Sequence, residues 1–130
     1  MRAVLLLAVA GVAAFTACGA GSATRPRPIQ FGVRGGNIVG YTISIGPNGK
    51  VTSPFGRGHG RIPERLVRQL GREIQQAHLA ESRICAGSLP DIAARYIRLG
   101  SSTFRLRGSC DSRFERVWSD LLRAVGRGPK

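Results

Sequence analysis

Whatever chemistry this chain offers rests on its cysteines and arginines. Of three cysteines in 130 residues, Cys18 follows an apolar N-terminal run, which leaves Cys85 and Cys110 for the folded portion. Two cysteines in an exported domain most often close one disulfide, worth about 3 kcal/mol in the chain-entropy model. A metal site would need a third and a fourth ligand, and His59 and His78 sit in dissimilar contexts. Oxidised cysteines leave no thiol nucleophile. The sequence has no GxSxG elbow and no HExxH motif. Asp91, Asp111, Glu115 and Asp120 read as turn, cap and surface-pair residues. We therefore expect no catalytic residue, no cofactor and no metal, and hence a protein that is not an enzyme.

The arginines point to binding. Twenty Lys plus Arg stand against seven Asp plus Glu, a formal net charge of +13, and eighteen of the twenty are Arg. Such an excess implies affinity for polyanions. The candidate binding residues fall in three groups: Arg34 and Arg57 in loops, Arg61, Arg65, Arg68 and Arg72 around a helix, and Tyr96, Arg98, Arg105 and Arg107 on a hairpin. Outside the cytoplasm the partners would be anionic lipid, wall polymer or an acidic protein surface. Nucleic acid is less accessible there.

The N-terminus sets that compartment. Met1-Arg2 is a short basic start, and Ala3 to Ala14 is apolar throughout. This length fits the core of an export signal and is too short to span a bilayer. Phe15-Thr16-Ala17-Cys18 is similar to a lipobox, after which Cys18 would become the lipidated first residue. The other reading is ordinary cleavage after Ala20 or Ala23. Under either, residues 1–23 are an export signal. The protein is then a lipoprotein on the outer surface of the cell membrane, or it is secreted. Residues 24–28, Thr-Arg-Pro-Arg-Pro, read as an extended tether that holds the domain off a membrane.

A single domain at residues 29–126 must position these groups, with a tail at 127–130. Ile29 to Val33 alternates as a strand, and Arg34 to Asn37 reads as a turn. Val39, Tyr41, Ile43 and Ile45 share one face of a second strand. Gly46-Pro47-Asn48-Gly49 turns the chain into a short strand, Lys50 to Thr52. Phe55 to Arg61 is a glycine-rich loop, either a connector or a phosphate cradle.

Pro63 opens a helix with Leu66, Leu70, Ile74 and Ala77 as its apolar stripe and Val67 beside them. Its far side carries the Arg61 to Arg72 series, as a solvated face or an anion-binding stripe. His78 near the helix end suits the dipole there. Glu81 to Pro90 reads as a loop containing Cys85.

A hairpin follows, turning at Gly100-Ser101. That register sets Ile97 opposite Phe104, Arg95 opposite Leu106 and Tyr96 opposite Arg105. Sliding the turn by one residue would oppose Arg98 and Arg105, a repulsive pair. Ile97, Leu99, Phe104 and Leu106 then face a core, and Tyr96, Arg98, Thr103, Arg105 and Arg107 face away. Ser112 and Glu115 form a capping box for the last helix. Phe114, Val117, Trp118, Leu121 and Val125 are its apolar stripe, Trp118 being a core anchor, and Gly126 is its stop. The order β-β-β-α-β-β-α predicts an α+β fold. Its sheet is mainly antiparallel, with both helices packed on one face and the other face open.

Arg34-Gly35-Gly36 with Gly40 close behind, a helix, Pro90-Asp91 leading into the strand with Tyr96, a hairpin and a closing helix together resemble the emfourin-type domain across residues 29–125. The resemblance implies a small α+β fold and an inhibitor of thermolysin-like zinc peptidases. The two domain cysteines and the arginine load depart from that pattern, and no inhibitory residue is carried over. Two functions are thus expected. One is an exported, lipid-anchored, non-catalytic binding module, such as a protease inhibitor, presenting residues 34–40 or 56–61 to a protein cleft. The other is a basic envelope-associated module that holds anionic lipid or polymer through its arginines. The plain alternative is a surface lipoprotein with neither role.

Overall fold

Alternating side chains lay down six strands in one sheet: β1 (Ile29–Arg34), β2 (Tyr41–Ile45), β3 (Val51–Thr52), β4 (Ser82–Ile84), β5 (Ala94–Leu99) and β6 (Ser102–Arg107). Helix α1 (Glu64–Gln76) joins β3 to β4, and α2 (Ser112–Ala124) follows β6. This is a computed structural model that describes residues 25–55 and 60–126; the segment expected to be an export signal, with Cys18, lies outside the described residues, as do Arg57, His59 and the tail. The strand order is β3-β2-β1-β5-β6-β4. Every pairing is antiparallel except that of β4, which runs parallel to β6. The fold is α+β, and Cys85 and Cys110 are joined in a disulfide.

The strand period of two sends one set of side chains into the core. Ile29, Phe31, Ile43, Ile45 and Ile97 are fully buried. Against them pack Val67, Leu70 and Ile74 of α1 and Phe114, Val117 and Leu121 of α2. The rings of Phe31 and Trp118 meet edge to face at 5.6 Å, and Trp118 lies nearly parallel to Phe114. The hairpin has the expected register: Ile97 pairs with Phe104, Tyr96 with Arg105 and Arg95 with Leu106.

The structure corrects several expectations. The segment read as a loop around Cys85 contains β4, so the order is β-β-β-α-β-β-β-α. The second strand starts at Tyr41, and Val39 is 95% exposed. Asn37 N–H donates to Asp91 O at 3.2 Å, so the chain follows the β4–β5 loop before it can pair with β1. In α1 the buried stripe is Val67, Leu70 and Ile74, with Leu66 and Ala77 at its margins. Arg61 is not part of the helix; it bridges to Lys50. Asp111, not Ser112, caps α2, accepting from the N–H groups of Arg113 and Phe114. A carboxylate at this position meets both the unpaired N–H groups and the helix dipole. The proline tether packs onto the domain: Pro26 is buried, and Pro28 O accepts from Gly100 N–H at 3.0 Å.

Between the helices, Glu73 and Asp120 share a hydrogen bond. Burial, then that bond and the Asp120 charge, push the Glu73 carboxyl from an ordinary 4.5 up to about 7, against the pull of Arg116 and Arg123. Between these two values the folded state holds a proton that the unfolded chain releases. This contribution is complete below pH 4.5 and is lost as pH rises through about 7. Glu73→Gln should therefore flatten the fall in stability across that window, read from denaturation midpoints at stepped pH. Parallel curves for parent and variant would contradict the assignment.

Candidate functional site

The strands contain arginines but no Asp or Glu, and the sheet sorts those arginines by face. Arg83 and Arg95 turn toward the helices and find carboxylates. Arg83 lies 3.6 Å from Asp111. Arg95 grips Glu115 through both terminal nitrogens, with one contact at 2.8 Å, and also donates to Gly108 O at 2.8 Å. Its guanidinium lies 5.5 Å from the ring centres of both Phe114 and Trp118. Burial works against the Asp111 charge. The N–H groups of Phe114 and Arg113, with the Arg113 and Arg83 guanidiniums, outweigh it and hold the carboxyl below its usual range.

The opposite face carries Arg34, Arg98, Arg105 and Arg107. Among the described residues, none of these four has a carboxylate within ion-pair distance. Three of them converge. Arg34, Arg105 and Arg107 line a cleft of about 330 Å³ with Ala94, Tyr96 and all three β4 residues, Ser82, the Asp111-paired Arg83 and Ile84.

Register explains the cleft. Ala94 stands beside Arg34 on β1, and Ile84 pairs with Arg107, so a small side chain lies among long ones. Tyr96 has Gly32 opposite it on β1, and Gly32 in turn faces Thr42 on β2. With no side chain in the way, the Tyr96 hydroxyl crosses β1 and hydrogen-bonds Thr42 Oγ1. The backbones are close here: a Cβ at Gly32 would lie 1.9 Å from Tyr41 O. Tyr96 is only 4% exposed, and the Arg34 guanidinium covers its ring at 4.7 Å. The Nε of Arg107 is buried and has no hydrogen-bond partner among the described residues.

The remaining expected residues stand apart. Arg98 is exposed near the hairpin turn, where its Nε donates to Gly100 O at 3.0 Å. Arg65 is exposed, and Arg68 is 3.5 Å from Glu64. Arg68 and Arg72 line a wider groove of about 520 Å³ with Arg25 and Arg27 of the tether. Each site contains one paired arginine, Arg68 in the groove and Arg83 in the open-face cleft; the cleft is the stronger site because it adds the stacked Arg34–Tyr96 wall and the buried Arg107 Nε. Sequence reasoning found Arg34, Tyr96, Arg105 and Arg107. It missed Ala94, whose smallness makes the cleft, and the β4 wall. Among the described residues no group of three or more His, Cys, Asp or Glu could hold a metal ion, and no helix is long and apolar enough to cross a membrane. No protein-family model, curated protein or solved structure matches the chain.

Proposed function

We propose that the protein is an exported, lipid-anchored, non-catalytic binding module that holds anionic lipid or wall polymer with the open face of its sheet. The sorting of the arginines supports this reading. Those facing the helices are neutralised by Asp111 and Glu115, whereas among the described residues Arg34, Arg98, Arg105 and Arg107 have no carboxylate partner. Fixed guanidiniums on one face make a positive field that survives folding. Near an anionic bilayer each contributes about 1 kcal/mol, weakened by salt. Such a patch complements an acyl anchor at Cys18, because one chain plus a basic patch holds a surface far better than one chain alone.

The test is co-sedimentation with phosphatidylglycerol vesicles and with neutral phosphatidylcholine vesicles. Binding to the first should vanish at high ionic strength. Arg98→Glu with Arg105→Glu should weaken it by about tenfold or more while leaving the melting temperature nearly unchanged. Equal binding to neutral vesicles, or indifference to charge reversal, would sink the reading.

One observation favours a second reading, a module that docks on a secreted protein such as a protease. The β1–β2 and β4–β5 loops, tied by the Asn37–Asp91 hydrogen bond, expose Ile38, Val39, Leu89 and Ile92. Contiguous exposed apolar residues are typical of protein contact surfaces. A stoichiometric complex with one secreted protease, insensitive to salt, would distinguish this from surface binding.

A further inference from the structure

We infer that the Tyr96 cleft is a discrete pocket for one phosphate group, the point at which the open face grips its ligand. This deepens, and rests on, the reading that the open face holds an anionic envelope ligand.

Arg34, Arg105 and Arg107 approach the cleft from two strands separated by β5. Among the described residues no carboxylate neutralises their charges. A carboxylate offers one charge and two oxygens to this group. A phosphate offers up to about two charges and three or more oxygens, set in a tetrahedron that several forks can reach at once. Arg107 Nε is buried without an acceptor among the described residues. A buried N–H with no acceptor is a costly arrangement unless a ligand completes it. The stacking of Arg34 on Tyr96, and the Tyr96–Thr42 hydrogen bond beneath it, hold that wall in place before any ligand arrives.

The other features fit a phosphate ester better than a bare ion. Ile84, 64% exposed, lines the cleft across Arg107 from Ala94, giving the carbon side of an ester an apolar contact. The volume, about 330 Å³, admits a phosphate with a short polyol attached. The same chemistry occurs in a phospholipid headgroup and in a soluble or polymeric phosphate ester, so the experiment must separate these sources.

The test uses 15N-labelled protein, following the Arg107 Nε–Hε resonance at constant ionic strength. Inorganic phosphate, glycerol 3-phosphate and acetate are titrated in turn. Both phosphates should give a saturable shift, with acetate about tenfold weaker or more. Ala94→Leu, which fills the cleft, and Arg107→Lys, which removes the fork but keeps the charge, should each weaken phosphate binding by about tenfold. Melting curves check that both variants fold, and Arg105→Lys replaces either that does not.

Competition between glycerol 3-phosphate and phosphatidylglycerol vesicles assigns headgroups as the source. Saturable phosphate binding without competition assigns a soluble or polymeric ester, and the pocket stands in both cases. Equal response to acetate and phosphate overturns it, as does phosphate affinity within twofold of the parent in both variants. If vesicle binding persists under that result, the broader surface reading survives without a pocket. If the parent fails to bind anionic vesicles or anionic polymer at all, the broader reading is what has failed.

Discussion

Replacing Cys85 and Cys110 together by alanine is expected to lower the free energy of unfolding by about 3 kcal/mol. Domains of this size are stable by roughly 5–15 kcal/mol, so the loss is a large fraction of the whole. The bridge spans a sequence separation of 25, and its absence lets the unfolded chain explore conformations that the crosslink forbids. The folded state suffers as well. Cys85 belongs to the buried core, and its N–H donates to Arg107 O at 2.9 Å. Gly108 adopts φ +95, and a Cβ there would lie 2.7 Å from Cys85 Cβ, so the backbone is fitted closely around the bridge. β4 is three exposed residues at the sheet edge, with only β6 beside it. Denaturant titration gives the global loss. Hydrogen exchange should show Ser82 to Ile84 opening first, ahead of β1 and β5. A double variant within about 1 kcal/mol of the parent would mean that the bridge constrains little.

Arg95→Met should cost about 2 kcal/mol, the largest effect expected of any arginine. Its guanidinium sits on the core side of the sheet, with the side chain 21% exposed and that of Glu115 35% exposed. Removing it leaves the Glu115 carboxylate half-covered without its partner and Gly108 O without its donor. It also strips a cation from the faces of Phe114 and Trp118. Partial exposure keeps the figure below that of a fully buried pair. Arg95→Lys should recover only part of the loss, because an ammonium cannot make the two-pronged contact. A double-mutant cycle with Glu115→Gln should return coupling on the order of 1 kcal/mol. Arg98→Ala is the control and should change stability by less than about 0.5 kcal/mol. If the two arginines behaved alike, the sorting of charge between the two faces would have no energetic basis.

The hairpin was legible because two local signals agree: the turn chemistry at Gly100-Ser101 and the repulsion that one slip would bring between Arg98 and Arg105. That register already implied that Arg95 points at the core. Nothing local shows why a charge is tolerated there, since the answer is Glu115, 20 residues away on α2. β4 escaped notice for a related reason. All three of its residues are exposed, so they leave no alternating pattern, and the partner that makes them a strand is parallel and distant in sequence. Val39 misled in the opposite direction. Its alternation with Tyr41 and Ile43 is a strand pattern, but the Asn37–Asp91 hydrogen bond carries that stretch away from β1. The arginines of the candidate site could be read from the hairpin. The cleft between them could not, because it depends on Ala94 and Ile84 flanking the same point from β5 and β4. The Glu73–Asp120 contact is likewise a product of two helices meeting.

The sheet ends on one side in the two residues of β3 and on the other in the three residues of β4. Its long strands lie inside, although β3 covers only Ser44 and Ile45 of β2 and β4 covers only Arg105, Leu106 and Arg107 of β6. A neighbouring molecule therefore finds only short free rows of backbone N–H and C=O groups on which to extend the sheet. Edge-to-edge growth is the usual route by which crowded β proteins aggregate. Many copies could then crowd together on one surface and stay separate molecules, with the bridged strand serving as a stopper against fibre formation.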